Sequence, residues 1–531
     1  MHLDTSVLIV GGGLNGLTMA LLLARRDVRC IVIERHPRTS IQYKFSGISP
    51  RSMEIFREAG AEDDVRAHRT GDQQAGGVAR GRTLADPEIQ WMMDSAWPDV
   101  SGLGATGPAT CDQHVLEPIL RTHAEQCGAD VRFGTELLAL TQKADHVEAR
   151  VRSVASGTDH TLRAAYVVAA DGANGTVRDR LDIGRTGPGV LQHWMNLLFD
   201  TDLEPVLQGR RFTSCFVSAL NATFTPRESG PWVLALQYDP EHGDRPEAFD
   251  AARCLRLVRE GAGRDTVRAD LVDARAWSVA GWISDAFRRD RVFLLGDAAH
   301  VMPPTGAFGG NTGIHDAHNL AWKLELVLKG QADRTLLDTY ETERRPVAAH
   351  SLAQALARLQ AWFADPQGRL PAPVPQVAEY DVVFGQRYEE GALLSEPGEQ
   401  GQPPFATAHA LSGRPGTRAP HMVLTRDGAD VPVHDLFGAG FVLLTGAGGR
   451  PWAEAVRKLS RRSGPPLTCQ TIGTGCALGD SGRQWPARYG VRDAGAVLVR
   501  PDGFVAWRTP DATAAAESML TNVLRRLHLR A

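Results

Sequence analysis

Ser6-Val-Leu-Ile-Val10 runs directly into Gly11-Gly-Gly13-Leu-Asn-Gly16. The apolar run has strand length, and the small and aliphatic residues from Leu17 to about Arg26 read as a helix. Cys30-Ile-Val-Ile-Glu34 then reads as a second strand that ends in an acid. Strand, three spaced glycines, helix, strand and acid form the βαβ pattern of a dinucleotide-binding unit. Gly11 permits the tight turn, Gly13 lets the backbone approach a diphosphate, and Gly16 lets the helix pack close to the sheet. The helix N-terminus offers free N–H groups and a positive dipole end to the phosphates. Glu34, 18 residues beyond Gly16, can accept from both ribose hydroxyls of an adenosine, and Arg35 follows it. An acid there disfavours a 2′-phosphate, but it does not separate NAD from FAD.

Two later stretches fit the same sheet. Arg291-Val-Phe-Leu-Leu-Gly296-Asp297 reads as a strand with its aspartate at the carboxyl end, where open α/β sheets bind ligands. Asn311-Thr312-Gly313 is expected to open a long helix, with Ile314, Ala317, Ala321, Leu324 and Leu328 at helical spacing and Asn or Thr as N-cap. Tyr166-Val-Val-Ala-Ala-Asp171-Gly172 is a third strand, ending in Asp-Gly.

The chain has 531 residues, length for about three domains. Its 43% hydrophobic and 23% charged content are those of an ordinary globular protein, and the net charge of -4 suggests neither nucleic-acid nor membrane binding. Seven scattered cysteines indicate no disulfide framework and fit a reducing cytoplasm; no membrane span or secretory signal is apparent.

Gly11-x-Gly13-x-x-Gly16, Asp171-Gly172 and Gly296-Asp297, in this order, resemble the group A FAD-dependent aromatic monooxygenases, the family of para-hydroxybenzoate hydroxylase and phenol hydroxylase. Pro50-Arg-Ser-Met-Glu-Ile-Phe56 and Gln113-x-x-Leu-Glu-x-x-Leu-Arg121 carry the same resemblance. Gly495-Ala-Val-Leu-Val-Arg-Pro-Asp-Gly-Phe-Val-Ala-Trp507 resembles the thioredoxin-like tail of the longer members, and the whole chain is most similar to the hydroxylases that tailor aromatic polyketides.

The resemblance implies a Rossmann-type α/β FAD-binding domain over 1–185 and 286–363, interrupted by an antiparallel-sheet substrate domain over 186–285. A linker over 364–418 and a thioredoxin-like domain over 419–531 follow. It implies that Gly11, Gly13, Gly16, Glu34 and Arg35 hold the ADP half of FAD. Gln113 would contact the ribityl or phosphate region, Asp171 would lie beside the diphosphate, and Gly296 and Asp297 would lie at the ribityl chain. Gly310, Asn311, Thr312 and Gly313 would face the flavin pyrimidine, with Gly306–Gly310 leaving room for the ring to swing. Pro303 would wall the substrate, and Trp194, Phe212, Phe224, Trp232 and Tyr238, with Phe216, form a candidate aromatic pocket. Where many relatives carry an arginine ahead of the Pro50 helix, this chain has Lys44, which keeps the charge without the planar fork.

With one dinucleotide fingerprint, NADPH or NADH must visit transiently. The implied reaction is hydroxylation of a polycyclic phenol by a flavin C4a-hydroperoxide formed with O2, and no catalytic side chain is assigned. Baeyer–Villiger insertion, another ring-modifying oxidation, or a flavoprotein that only sequesters an aromatic compound are the alternatives. His315 and His318 lie one helical turn apart but lack further ligands at useful spacing, so no metal is expected. Cys469 and Cys476 have six residues between them, so the tail carries no Cys-x-x-Cys. The expected partner is a small aromatic molecule, with the chain a monomer or a homodimer.

Overall fold

The computed structural model describes residues 3–42, 44–68, 77–93, 100, 102–227, 230–362, 368, 370–397, 401–482 and 484–530. In chain order, the elements that position the site are β1 (Thr5–Val10), α1 (Leu14–Ala24), β2 (Cys30–Glu34), α2 (Pro50–Glu58), α3 (Gln113–Gln126), β3 (Asp159–Ala169), β4 (Arg185–Thr201), β5 (Trp232–Tyr238), α4 (Ala251–Ala262), β6 (Ala269–Ser284), β7 (Val292–Leu294), α5 (Phe308–Leu328), α6 (Thr339–Trp362), α7 (Glu379–Phe384), β8 (Phe441–Gly446), β9 (Leu467–Ile472), β10 (Ala496–Val499) and β11 (Val505–Thr509).

The first sheet has eight strands, and its central run β7-β3-β1-β2 is parallel throughout. Val7, Leu8, Ile9 and Val10 are all buried, as a parallel strand covered on both faces requires. The register sets Val10 opposite Ala169 and Ala169 opposite Leu294. Three distant stretches therefore end side by side, and Gly11, Asp171 and Gly296-Asp297 emerge along one carboxyl edge. Helices α1 and α5 pack against each other on this sheet.

The second sheet has eight strands and is antiparallel except where Ser214–Val217 runs parallel to Val78–Gly81. Its centre is β6-β4-β5. Val78–Gly81, Gln90–Met93 and His300–Val301 join it from outside 186–285. One face carries a separate core: Trp232, Leu234, Leu236 and Tyr238 of β5 pack there with Phe212, Phe224 and residues of α4. The alternating position Ala235, and Trp194 with Trp277, pack instead against the nucleotide-binding core.

This parity corrects the aromatic pocket. Phe212, Phe224, Trp232 and Tyr238 are core side chains on the far face; Phe224 is fully buried and meets Phe199 edge-on, with centroids 6.1 Å apart. Trp194 lies on the face toward the nucleotide-binding half, stacked on Trp277 at 6.0 Å, and Phe216, between the core residues Cys215 and Val217, also points away from the far-face core. Phe224→Ala is expected to cost about 3–5 kcal/mol of stability. Urea unfolding measures that loss; substrate affinity in the folded fraction should not change.

The third sheet has the order β9-β8-β10-β11, with β8 and β9 parallel and the other pairs antiparallel, which is the thioredoxin-like arrangement. The stretch read as a linker is partly packed: Tyr380, Val382, Val383 and Phe384 of α7 are buried, as are Gln386 and Tyr388. Its residues 364–367, 369 and 398–400 lie outside the described residues. Among the described residues no helix is long and apolar enough to cross a membrane.

His421 and His434 stack at 5.5 Å where the C-terminal domain meets α2, beside the buried Arg418–Glu54 pair. Burial, then Arg418, lowers His421 from 6.5 to about 4. A base depressed in the fold lends its full stability above the unfolded value and loses it as pH falls from about 6.5 to about 4. Glu379, raised by burial to about 7, acts with the opposite sign in part of that window. The comparison must therefore be with His421→Gln: wild type should lose about 3 kcal/mol relative to the variant between those pH values, measured by urea unfolding.

Candidate functional site

The glycine loop is built as its spacing requires. Gly11 has φ +110°, and a side chain there would run into the carbonyl of Ala170. A Cβ on Gly16 would strike the Gly11 carbonyl oxygen, so α1 crosses β1 at backbone distance. Gly13 is open except for Glu117 Oε1, 3.5 Å from where its Cβ would stand. Glu34 accepts from the backbone N–H groups of Gly12 and His36, each at 2.9 Å, and Arg35 is exposed.

Glu117 was not among the expected site residues. It is 1% exposed and accepts from the Leu14 N–H at the first turn of α1 (3.1 Å), from Gln113 Nε2 (2.6 Å) and from the Ser40 N–H (3.3 Å). Burial raises its pKa. Gln113 thus reaches the glycine loop through Glu117, and their i, i+4 spacing on α3 was the available signal.

Asn15 is the second omission. Its side-chain amide fills the slot between Gly296 and Gly313, where a Cβ on either glycine would collide with it. One amide therefore locks the first motif to both later ones. Asp171 turns toward its own loop, with Oδ2 accepting from Val177 N–H at 3.1 Å, and burial raises its pKa. Asp297 is exposed at the carboxyl edge of β7. The surrounding protein raises its pKa, while His300 and Lys44 pull the other way. The Lys44 charge acts on both Asp297 and Glu117, so this exposed lysine flanks the cleft.

Helix α5 begins at Phe308, not at Asn311, and its N-cap is Ala307 at φ +53° without a side-chain cap. Asn311 is engaged elsewhere. Its Oδ1 accepts from Ser49 N–H (2.9 Å) and Ser52 Oγ (2.7 Å), and its Nδ2 donates to the carbonyls of Gly47 (3.0 Å) and Ala307 (2.7 Å). The amide binds the helix to the start of α2. Thr312 is buried and its carbonyl accepts from Arg344 at 3.4 Å. The glycines of this loop are not open space: a Cβ on Gly306 would stand 2.5 Å from the Phe308 ring, and one on Gly310 would stand 2.7 Å from Phe45. Pro303 is buried in the wall of the loop.

His315 pairs with Ser52 and Gln386, and His318 with Glu58 and Arg51. Both are engaged in packing α5. Among the described residues no group of three or more His, Cys, Asp or Glu is arranged to hold a metal.

The donor set fits a flavin dinucleotide. A side-chain-free loop at the start of α1, an acid at the end of β2 and an exposed carboxylate at Asp297 lie along one edge. The N-terminal part of α5 adjoins the same edge, where Gly313 and Gly296 share the Asn15 amide, and a helix N-terminus favours negative charge.

The chain matches the family model of the FAD binding domain over residues 4–355 and that of the aromatic-ring hydroxylase C-terminal region over residues 412–530. Tetracenomycin B2 monooxygenase-dioxygenase of Streptomyces olivaceus is 39% identical, over 100% of this chain and 99% of that protein. Aklavinone 12-hydroxylase RdmE of Streptomyces purpurascens is 38% identical, over 99% of each. Among solved structures, aklavinone-11 hydroxylase in a ternary complex with FAD and aklavinone superposes with a TM-score of 0.91 at 37% identity, over 99% of both chains.

Proposed function

Since the chain belongs to the aromatic-ring hydroxylases, a family of FAD-dependent monooxygenases, we propose that it hydroxylates a polycyclic phenol of the aromatic-polyketide type. FAD is its cofactor, with NAD(P)H and O2 as co-substrates. The observation that carries the substrate class is full-length similarity to enzymes named for tetracenomycin and aklavinone.

Bound FAD supplies the redox chemistry that activates O2 with electrons from the nicotinamide. The chain's own residues bind, orient and shield. Gly11, Gly13 and the first turn of α1 receive the diphosphate, and Glu34 accepts from the ribose hydroxyls. Asp297 accepts from a ribityl hydroxyl. The amides at the start of α5 favour negative charge at the pyrimidine end. The second sheet covers the cleft, and its Trp194 face, with Pro303, excludes water from the reacting ring. A phenol activates its own ring, so no side-chain base is assigned.

The test is NADH and NADPH oxidation by the purified yellow protein, with and without polycyclic phenols, with product masses recorded. Substrate-stimulated oxidation with a gain of one oxygen supports hydroxylation. A gain of more than one oxygen would place the chemistry with the monooxygenase-dioxygenase relative. Tight binding of aromatics without turnover would refute the enzymatic reading of the substrate.

A further inference from the structure

The turn between β10 and β11 belongs to the C-terminal domain, yet its side chains are buried in the nucleotide-binding half. Arg500 is fully buried, Asp502 is 2% exposed and Phe504 is 5% exposed. Arg500 grips the Glu343 carboxylate of α6 with both Nη atoms, at 2.7 and 2.8 Å, and also pairs with Asp502. The same carboxylate accepts from Asn319 Nδ2 at 2.6 Å and Lys323 Nζ at 2.8 Å, both on α5. Arg51 of α2 donates to the Asp502 carbonyl at 2.6 Å. Phe504 stacks on Tyr388 at 4.3 Å.

The next residue of α6 grips the same helix further toward its start. Arg344 donates to Asp316 Oδ1 at 2.7 Å and to the Thr312 carbonyl at 3.4 Å. Thr312, Asp316, Asn319 and Lys323 are spaced by four, three and four, so they form one stripe along α5. Consecutive residues of α6 thus hold this stripe from the second turn of α5 to beyond its middle. Arg500 completes the grip, because without it Glu343 and Asp502 would share a single buried cation. Apolar side chains could fill such a junction at least as stably. What the charges add is a fixed register of one helix against the other.

We propose that the Arg500–Phe504 turn is a plug that sets the position of α5, making Arg500 and Asp502 positioning residues for the flavin. This rests on the placement of the flavin pyrimidine at the first turn of α5. A shift of the stripe moves the first-turn amides relative to the flavin. The effect is on cofactor affinity and on the potential at which the flavin is reduced, and only then on turnover. It also gives the C-terminal domain a role that its cysteine spacing does not supply.

The experiment uses the full chain, stripped of FAD and titrated with it while flavin fluorescence is followed. The midpoint potential is then measured on the reloaded protein. Arg500→Met is expected to weaken FAD binding by about fivefold to thirtyfold and to shift the potential, with the circular dichroism of the wild type. Arg500→Lys, which keeps the charge but not the fork, should recover part of both. Wild-type affinity and potential in a folded Arg500→Met protein would overturn the proposal. If Arg500→Met does not fold, Asp502→Asn, which keeps the side-chain size and the Arg500–Glu343 fork, decides by the same two readouts: a shift in either supports the plug, and no shift in either overturns it. If wild type itself bound no FAD, the flavin placement would fail as well; if wild type binds and the variants match it, only the plug fails.

Discussion

Gly16→Val is expected to yield a chain that neither holds FAD nor keeps the nucleotide-binding half folded. A Cβ at this position runs into the carbonyl oxygen of Gly11, part of the rigid loop that follows β1. The obstacle is backbone, so no rotamer change relieves it. Either α1 moves off the sheet or the loop moves out of its turn. Moving α1 strains a helix in which Leu17, Met19, Ala20, Leu21 and Leu23 are all buried. It also withdraws Asn15 from the slot between Gly296 and Gly313. Overpacking alone costs about 1–3 kcal/mol, and lost core contacts add to that. The total, about 4 kcal/mol or more, is a large part of the 5–15 kcal/mol that holds an ordinary domain. Urea unfolding followed by circular dichroism, with flavin absorbance on the soluble fraction, tests this. A variant of wild-type stability that purifies yellow would contradict the backbone contact.

Asp297→Ala is expected to do the opposite: keep the fold and lose the cofactor. Asp297 is exposed, and no described group donates to its carboxyl. Its pKa is raised by the surrounding protein, so the fold gains nothing from its charge. A carboxylate that accepts from a ligand hydroxyl contributes about 1.5–3 kcal/mol. Its removal should therefore weaken FAD binding by roughly 10-fold to 150-fold, with unchanged unfolding of the apoprotein. The ratio of flavin to protein absorbance after purification is the first readout, and titration the second. Full flavin occupancy would remove Asp297 from the site.

Comparing these two residues shows what the chain discloses before it folds. Gly11, Gly13, Gly16 and Glu34 are legible because a βαβ unit is local, and each letter of it answers a local steric or hydrogen-bonding need. The α/β class follows from those letters, and the FAD family from the same letters read together with Asp171-Gly172 and Gly296-Asp297. Asn311 misleads for the same reason: a good cap residue suggests a helix start, but a distant partner, the Ser49–Ser52 turn, claims its amide. The aromatic positions fail differently. Alternation along β5 tells that two faces exist, but not which one meets α4 and which meets the flavin-binding half. That assignment depends on register across eight strands drawn from three regions of the chain. Asn15 stood in its motif as a spacer and Glu117 as a letter with no role attached, and the contacts that tie each to the site lie more than a hundred residues away. The Glu343–Arg500 junction is illegible by the same measure, joining residues 157 positions apart.

The mixed parentage of the second sheet has a consequence for motion. Because Val78–Gly81 and His300–Val301 are hydrogen-bonded into it, the sheet and the nucleotide-binding half share strands on both sides of the cleft. A hinge that swung one half away from the other would have to bend within residues 295–299, the five-residue connection between Leu294 of the first sheet and His300 of the second. Gln42 and Asp273, paired across the two halves, tie them together a second time.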